Sequence, residues 1–392
     1  MIKETLDASQ MPLEVAPERK VTGNIAVKAP QPIETPDKYF PMLHGKATDA
    51  IAGMSSKNGE KNPISGALTI TNKEVKLLIS QFNQLTGALG INTHKLLSVG
   101  VAQFTAGNNV GGRDTDHLTY NVTIPLKEYA LQCGYDVEEH PKDTPEEQEK
   151  EAKRASNALK DAQKKVKKDL DILRNSSISW SEKVKGKAGD FLDIAIIGSK
   201  GIRKGYIYMV FDPAFAQYLI KLPLTQYPKA LLKVDARNGN AYNMGLKMTE
   251  HFNMDNNQIK GTAQLLKVST LLENLDLPSI ETVRKTRKSW EERIKEPFEN
   301  ALDVLTQCGL LSDWRYSHSK GLEMTDEEAT SFSTYEEWEN TLVHFTLADA
   351  PDHTLRLEAR AEEKKARQAK KKKPLKKKGV VTVEKGKLLS KT

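Results

Sequence analysis

The sequence has few cysteines, no long apolar run and none of the common catalytic motifs. Cys133 and Cys308 are its two cysteines, which argues against a disulfide and favours small, buried, inert thiols. No stretch approaches the ~18 apolar residues of a membrane-spanning helix. The polar N-terminus also lacks the apolar segment of a secretory signal. We therefore expect a cytoplasmic protein with no membrane partner.

Motifs for metal, nucleotide or nucleophile chemistry are also missing. The histidines show no ligand spacing with cysteine or with each other, and no His-x-His pair of metal-dependent DNA-nicking enzymes occurs. The glycine-rich segment Gly198–Gly205 lacks the spacing of a phosphate-binding loop, and Asp114–His117 is typical of a turn. We predict a protein that is not an enzyme and needs no metal or cofactor.

Positive charge is concentrated at one end of the chain. The net charge is +7, but Arg356–Thr392 alone has 15 Lys/Arg against four Glu, or +11, which leaves −4 for all other residues. Any nucleic-acid surface on the folded body must therefore be a local patch. The tail, with Lys370–Lys373 and Lys376–Lys378, is either a solubilising end or a non-specific tether for polyanions.

Hydrophobic spacing divides the body of the chain into predicted helices and strands. Residues 1–65 contain several prolines and little periodicity, which predicts an extended or disordered arm. Predicted helices cover Asn72–Leu85, Thr93–Phe104, Leu126–Cys133, Glu146–Arg174, Ala214–Leu222 and Asn240–Phe252, and predicted strands cover Leu68–Thr71, Leu118–Thr123, Ile178–Trp180, Phe191–Ile197 and Tyr206–Phe211.

A clearer set of elements follows in the second half. Gln264–Leu275 and Ser279–Thr286 have helical spacing, Trp290–Cys308 is a long helix ending at Gly309, and Trp314–Tyr316 can pair with Thr341–Phe345. Helix, helix, basic helix and hairpin is the order of a winged-helix domain. We predict an α+β fold with two winged-helix domains, residues 66–252 and 253–350, between a disordered arm (1–65) and a basic disordered tail (351–392).

Lysine and arginine residues on these elements are the candidate DNA contacts. Four lie on the long helix of the first domain, three in the basic loop that joins two strands, six around the start of the Trp290 helix and two near the second hairpin. In that order they are Lys164, Lys165, Lys167 and Lys168; Lys200, Arg203 and Lys204; Arg284, Lys285, Arg287, Lys288, Arg293 and Lys295; and Arg315 and Lys320. Arginine at a helix N-terminus suits phosphate binding. Solvated helix faces and a solvated turn are the alternatives.

Several segments resemble a known family. They are Thr123–Gly134 followed by a long basic helix, Ser179-Trp180, Gly205–Pro213, Tyr218-Leu219, Asn240–Leu246, and the pattern Trp290, Pro297, Ala301, Leu302, Leu305 and Gly309. Over residues 67–347 this order resembles the replication initiator proteins of theta-replicating plasmids. Members of that family are built from two winged-helix domains and are not enzymes.

The resemblance implies a function and partners. It implies binding of double-stranded DNA at origin repeats, unwinding, recruitment of host replication proteins and autoregulation. The second domain would bind the repeat in the major groove, and the first would contact adjacent DNA and take part in dimerisation. The long arm and lysine-rich tail leave monomer or homodimer open. Two other functions stay open: a winged-helix regulator of a mobile element without origin activity, and a non-catalytic basic scaffold protein.

Overall fold

The structure is a computed structural model that describes residues 38–43, 45–108, 118–184, 187–273, 275–320 and 322–350. The first part of the predicted arm, the Asp114–His117 turn and the lysine-rich tail lie outside the described residues.

The described residues form a mixed α+β fold, as predicted. The strands are β1 (Tyr39–Leu43), β2 (Glu60–Lys61), β3 (Leu68–Asn72), β4 (Val75–Ile79), β5 (Asn121–Pro125), β6 (Ser176–Val184), β7 (Lys187–Ala195), β8 (Ile197–Arg203), β9 (Tyr206–Phe211), β10 (Leu224–Pro228), β11 (Leu265–Lys267), β12 (Leu311–Ser319), β13 (Leu322–Glu323) and β14 (Leu342–Leu347). The helices are α1 (Lys46–Ala52), α2 (Ile91–Gly107), α3 (Leu126–Gln132), α4 (Pro145–Arg174), α5 (Pro213–Leu219), α6 (Gly239–Asn253), α7 (Asp255–Lys260), α8 (Val268–Leu272), α9 (Ile280–Lys285), α10 (Glu296–Gln307), α11 (Asp326–Thr330) and α12 (Tyr335–Asn340), with a π-helical turn at Glu291–Lys295.

These strands form antiparallel sheets. The strand orders are β1-β10, β2-β3-β4-β6-β7, β5-β9-β8 and β11-β14-β12-β13. Trp314 pairs with Phe345 and Tyr316 with Val343, which confirms the predicted pairing of the second hairpin.

One order of elements occurs twice. The first repeat, residues 91–211, runs α2, β5, α3, α4, β8, β9, and the second, residues 239–347, runs α6, β11, α8, α10, β12, β14. In the first repeat β5 pairs with β9 and β9 with β8, and in the second β11 pairs with β14 and β14 with β12. In both, the first helix also packs against the long helix: α2 on α4 and α6 on α10. The first repeat adds the β6–β7 hairpin, and the second adds α7, α9, β13, α11 and α12.

Local sequence explains the long helix of the first repeat. Thr144 accepts a hydrogen bond from the Glu147 N–H at 3.3 Å, and Pro145 follows at the first helical position. Acidic residues occupy the first turn and Arg174 the last, as the helix dipole favours. Buried Ala162, Val166 and Leu173 recur at helical spacing. The prediction of a helix over Glu146–Arg174 is confirmed.

Two predictions for the first eighty residues are wrong. Tyr39–Leu43, inside the predicted arm, is strand β1, which pairs with β10 and buries Phe40 against Tyr227 at 6.5 Å between ring centroids. Residues 72–85, predicted as a helix, form β4 and a short 3₁₀ turn, because Lys73 (φ 56°) turns the chain back on β3 and β4 then pairs with β6.

Two further predicted boundaries shift. The basic loop Gly198–Gly205 is mostly strand: β8 runs to Arg203, and the turn to β9 is at Lys204 and Gly205, both with positive φ. β7 pairs with β6 rather than with β9. In the second repeat the segment predicted as one helix from Gln264 begins as strand β11 before α8.

Most buried apolar residues of both repeats belong to one continuous core, and Ala130, Val137 and Ala162 form a small separate cluster. Gly245 on α6 marks the closest packing, since a Cβ there would lie 2.6 Å from Leu231 Cδ2 and 2.9 Å from Leu305 Cδ2. A side chain at this position would push α6 away from α10. The core therefore fixes both long helices on a rigid scaffold.

Candidate nucleic-acid interface

Five exposed cations lie where the second repeat passes from α9 to α10. Ser279 caps α9 by accepting a hydrogen bond from the Thr282 N–H at 3.3 Å. The chain then turns at Arg287, whose φ is +52°. The exposed residues are Arg284, Lys285, Arg287, Lys288 and Arg293, which we call the 284–293 cluster.

A π-helical turn places Arg293 at the start of α10. Pro297 has no N–H to donate to the Arg293 carbonyl, so the ordinary α-helical hydrogen bond is missing there. The wider turn Glu291–Lys295 accommodates that loss. Trp290 is half-buried, with its ring centroid 5.5 Å from that of fully buried Trp338. Both tryptophans therefore pack in the core, and the cluster is mounted on them.

Lys295, predicted as a DNA contact, faces inward. It is 9% exposed, and its Nζ donates a hydrogen bond to the Ala329 carbonyl at 3.1 Å. The ammonium also lies 3.8 Å from Glu299 and 5.1 Å from the centroid of the Phe332 ring. The prediction for Lys295 is wrong, because these groups satisfy its charge inside the protein.

Three other candidates have protein partners while remaining exposed. Arg284 Nη2 lies 2.6 Å from Glu336 Oε1, and this hydrogen bond lowers the pKa of Glu336. Arg315 pairs with carboxylates at 2.9 and 2.7 Å. Lys320 donates to the Lys260 carbonyl at 3.3 Å. Arg287, Lys288 and Arg293 form no ion pair with another described residue. The positive charge of the cluster therefore resides mainly on these three and Lys285.

In the first repeat, folding brings two predicted groups to one surface. Lys164, Lys165 and Lys167 are exposed on α4, with Lys168 half-buried, and α4 packs against β8, which bears Lys200. Burial, reinforced by the nearby Lys167 charge, lowers the pKa of Lys200. Arg203 and Lys204 are exposed at the end of the same hairpin.

Nearby aspartates modify this second surface in different ways. Asp171 forms an ion pair with Lys200 and so offsets its charge. Asp169 instead points inward: it is 8% exposed and accepts a hydrogen bond from Thr93 Oγ1 at 2.7 Å. Burial raises the pKa of Asp169 to about 6. Lys165 lies 5.0 Å from the Tyr135 ring centroid, which leaves its ammonium at the surface.

Polar side chains of α2 connect the two repeats, and no sequence motif predicted these contacts. His94 Nδ1 lies 2.6 Å from the hydroxyl of Tyr242 on α6, and Tyr227 reaches the same hydroxyl at 2.6 Å. Lys95 donates to the Val234 carbonyl, and burial lowers its pKa. Buried polar groups need such partners. One face of α2 therefore holds α4, α6 and the segment before α6 together.

The two cysteines form no disulfide, as predicted, but they are half-buried and not fully buried. Cys133 and Cys308 are both free thiols. Burial raises the pKa of Cys133 to about 11, and it also raises the pKa of Cys308. Thiols with raised pKa values are poor nucleophiles.

Within the described residues, no group of three or more histidine, cysteine or carboxylate side chains could hold a metal ion. No helix in the same residues is long and apolar enough to cross a membrane. No protein-family model matches the chain. A search of curated proteins finds no match either.

Proposed function

We propose that this protein binds double-stranded DNA sequence-specifically through the 284–293 cluster and initiates replication of a plasmid or similar mobile element at origin repeats. The single observation behind the proposal is the run Arg284–Lys288, four exposed cations with no acid among them, at the end of α9 and in the turn that leads to α10. Arginine and lysine in this position contact phosphates and, in the major groove, guanine edges.

The arrangement of the second repeat supports this choice. A strand, helices, a basic turn, a long helix and the antiparallel strands β12 and β14 follow one another, an order that resembles a winged-helix domain. The same order in the first repeat agrees with a tandem of two such domains. The lysines of α4 and β8 then supply a second, mostly phosphate-contacting surface.

The origin-binding part of the proposal comes from the resemblance to plasmid initiators described above. Host replication proteins and a second copy of the chain are the partners that this resemblance suggests. A transcriptional regulator would use the same DNA surface at a promoter, and a basic scaffold protein would have no discrete DNA site.

A nuclease footprint on the DNA flanking the protein's own gene tests the proposal. Protection of several direct repeats, with replication lost when they are deleted, is expected. Protection of one promoter-proximal site alone would favour a regulator. Uniform protection at all sequences would refute sequence-specific binding.

A further inference from the structure

One face of the three-stranded sheet β5-β9-β8 is open in the part of the chain that the structure describes. Along β9, Ile207 and Met209 are buried toward the core. Tyr206, Tyr208 and Val210 alternate with them on the opposite face and are only half-buried. Their neighbours on the flanking strands are half-buried or exposed as well: Asn121, Thr123, Pro125, Ser199, Gly201 and Arg203.

Two tyrosines lie side by side at the centre of this face. The ring centroids of Tyr206 and Tyr208 are 6.4 Å apart, and the rings are tilted by 51°. Among the described residues, no third aromatic ring packs on either of them, and neither hydroxyl has a hydrogen-bond partner. Tyrosine hydroxyls that belong to the core usually find a partner. Both side chains are therefore available to a molecule from outside.

The neighbour of Tyr208 on β8 indicates that its ring does not serve the sheet itself. This neighbour is Gly201, and an aromatic ring can stabilise a strand by covering a glycine across from it. An added Cβ at Gly201 would meet no atom within 4 Å, so the ring does not lie over the glycine. The glycine instead leaves open space beside the ring, which a planar group can enter.

Cations border the tyrosine pair at one end. Arg203 and Lys204 are exposed where β8 turns into β9. The first residue of α3 donates its main-chain N–H to the Gly205 carbonyl of this turn at 2.8 Å, which brings the exposed Lys127 to the same end. Glu128 follows it, so the charged residues there sum to +2. This surplus suits a phosphate backbone that passes the rings.

We propose that this face binds single-stranded nucleic acid, with one base stacked on each tyrosine and the backbone beside Arg203 and Lys204. Aromatic rings on an open sheet, bordered by cations, are a general means of holding unpaired bases. The ring spacing is about twice the roughly 3.4 Å between stacked bases. The tilt prevents one base from fitting between both rings, so each ring takes its own base of an extended strand.

A duplex cannot use this face in the same way, because its bases are stacked on each other and have no free surface. The face also belongs to the first repeat, whereas the 284–293 cluster belongs to the second. Single-strand binding therefore goes beyond the proposed recognition of duplex DNA and does not rest on it.

Fluorescence anisotropy of the full-length protein with a labelled deoxythymidine oligomer of about 16 nucleotides tests the face. Tyr206→Val and Tyr208→Val keep a residue that favours strands but lose the ring. Each should weaken binding by about 5- to 150-fold, the range of one stacked base. The corresponding phenylalanine variants keep the ring and should bind within about twofold of the wild type. Tyr39→Val removes a half-buried tyrosine from β1, in another sheet, and is the matched control with unchanged affinity.

The same variants, titrated with a duplex of mixed sequence, distinguish single-strand binding from the proposed function. Their duplex affinity should equal that of the wild type, and the single-strand result can be read whether or not the protein recognises a specific duplex. Full single-strand affinity in the valine variants, equal losses on both kinds of DNA, or equal losses in the phenylalanine variants would overturn the proposal. A uridine oligomer separates RNA from DNA, and ring-dependent binding of either polymer supports the site.

Sedimentation of the valine variants tests the other occupant of such a face, a second copy of this chain. The proposal is overturned if the wild type is a dimer that these variants dissociate while they still bind the oligomer with wild-type affinity. The face would then be an interface between two copies.

Gly201→Thr separates a binding role from a structural one. Threonine adds no clash at this position and favours the strand more than glycine does, so Tm should stay the same or rise. Its side chain would stand beside the Tyr208 ring and obstruct a stacked base, so single-strand affinity should fall by about fivefold or more. Wild-type affinity in this variant would overturn the assignment.

Discussion

Removing one exposed cation of the 284–293 cluster should weaken binding to a specific DNA site without unfolding the protein. Arg293→Ala deletes a side chain that has no ion pair with another described residue, so the folded state loses little. Arg287→Asn removes the second charge, and asparagine tolerates the φ of +52° better than most residues. Each change should cost roughly 1–3 kcal/mol of specific binding, the worth of one arginine–base contact.

Lys295→Ala is the matched comparison, since this lysine lies two residues after Arg293 in the same helical turn but is buried. Its loss removes a hydrogen bond to Ala329, the contact with the Phe332 ring and the packing of the aliphatic stem. We expect the free energy of unfolding to fall by about 1–3 kcal/mol. Binding of the folded variant to DNA should change little.

Two measurements decide between these outcomes. Fluorescence anisotropy gives the affinity of each variant for a labelled specific duplex and for a scrambled one, and thermal unfolding gives the Tm of each variant. Equal losses of affinity for both duplexes in the arginine variants would refute base recognition, because phosphate contact alone would then explain the role of these side chains. The reasoning is also refuted if Lys295→Ala weakens DNA binding at unchanged Tm.

Three further predictions concern charge and pH. Glu336→Gln should free Arg284 and so raise DNA affinity by a factor of about two to five, which is the scale of one exposed ion pair. The control variant Glu327→Gln, on α11, should have a smaller effect. Equal effects of the two variants would show only a general change of net charge. Burial holds the pKa of Asp169 at about 6, above its ordinary value of 3.8, so between these pH values the folded state binds more protons than the unfolded state and stability falls as pH rises. Asp169→Asn should therefore add about 1–3 kcal/mol to the free energy of unfolding above pH 6 and flatten its pH dependence between about 4 and 6, as denaturant melts at several pH values would measure. Deleting Lys370–Lys378 should lower affinity for specific and scrambled duplexes alike and make the dependence of log Kd on log salt shallower by about 0.9 per lost phosphate contact; a loss confined to the specific duplex would contradict this.

Local signals in the sequence were sufficient for much of the second repeat. Helix α9 lies within the predicted segment Ser279–Thr286, and the long helix ends before Gly309, which has a φ of +78°, as predicted. The exposure of Arg284–Lys288 follows from the same turn. These features depend on residues within a few positions of each other, so spacing and capping rules identify them.

Features that depend on distant residues were missed. The segment Val75–Ile79 fits either a helical or an alternating pattern, and pairing of Leu77 with Ile178 on β6 decides for a strand. Lys295 is buried because Phe332 and the Ala329 carbonyl, 34 residues further on, cover it. The hydrogen bonds of His94 and Lys95 between the repeats likewise form only when α2 packs against α6 and the segment before it. No local pattern contains that information.

The two repeats share a topology but differ in the charge near the start of their long helices. Residues 284–288, at the end of α9 and in the turn after it, have four cations and no acid, and Glu291 and Glu292 follow, whereas residues 143–149 at the start of α4 have four acids and no base. A phosphate backbone would be attracted to the first and repelled by the second. The cations of α4 lie instead in its second half, next to Lys200 on β8. On one duplex the two repeats would therefore present different ends of their long helices. The exposed Glu291 and Glu292 lie within the 284–293 cluster and reduce its charge from +5 to +3, so its attraction for phosphates depends on this local surplus of cations and not on the body's overall charge of −4.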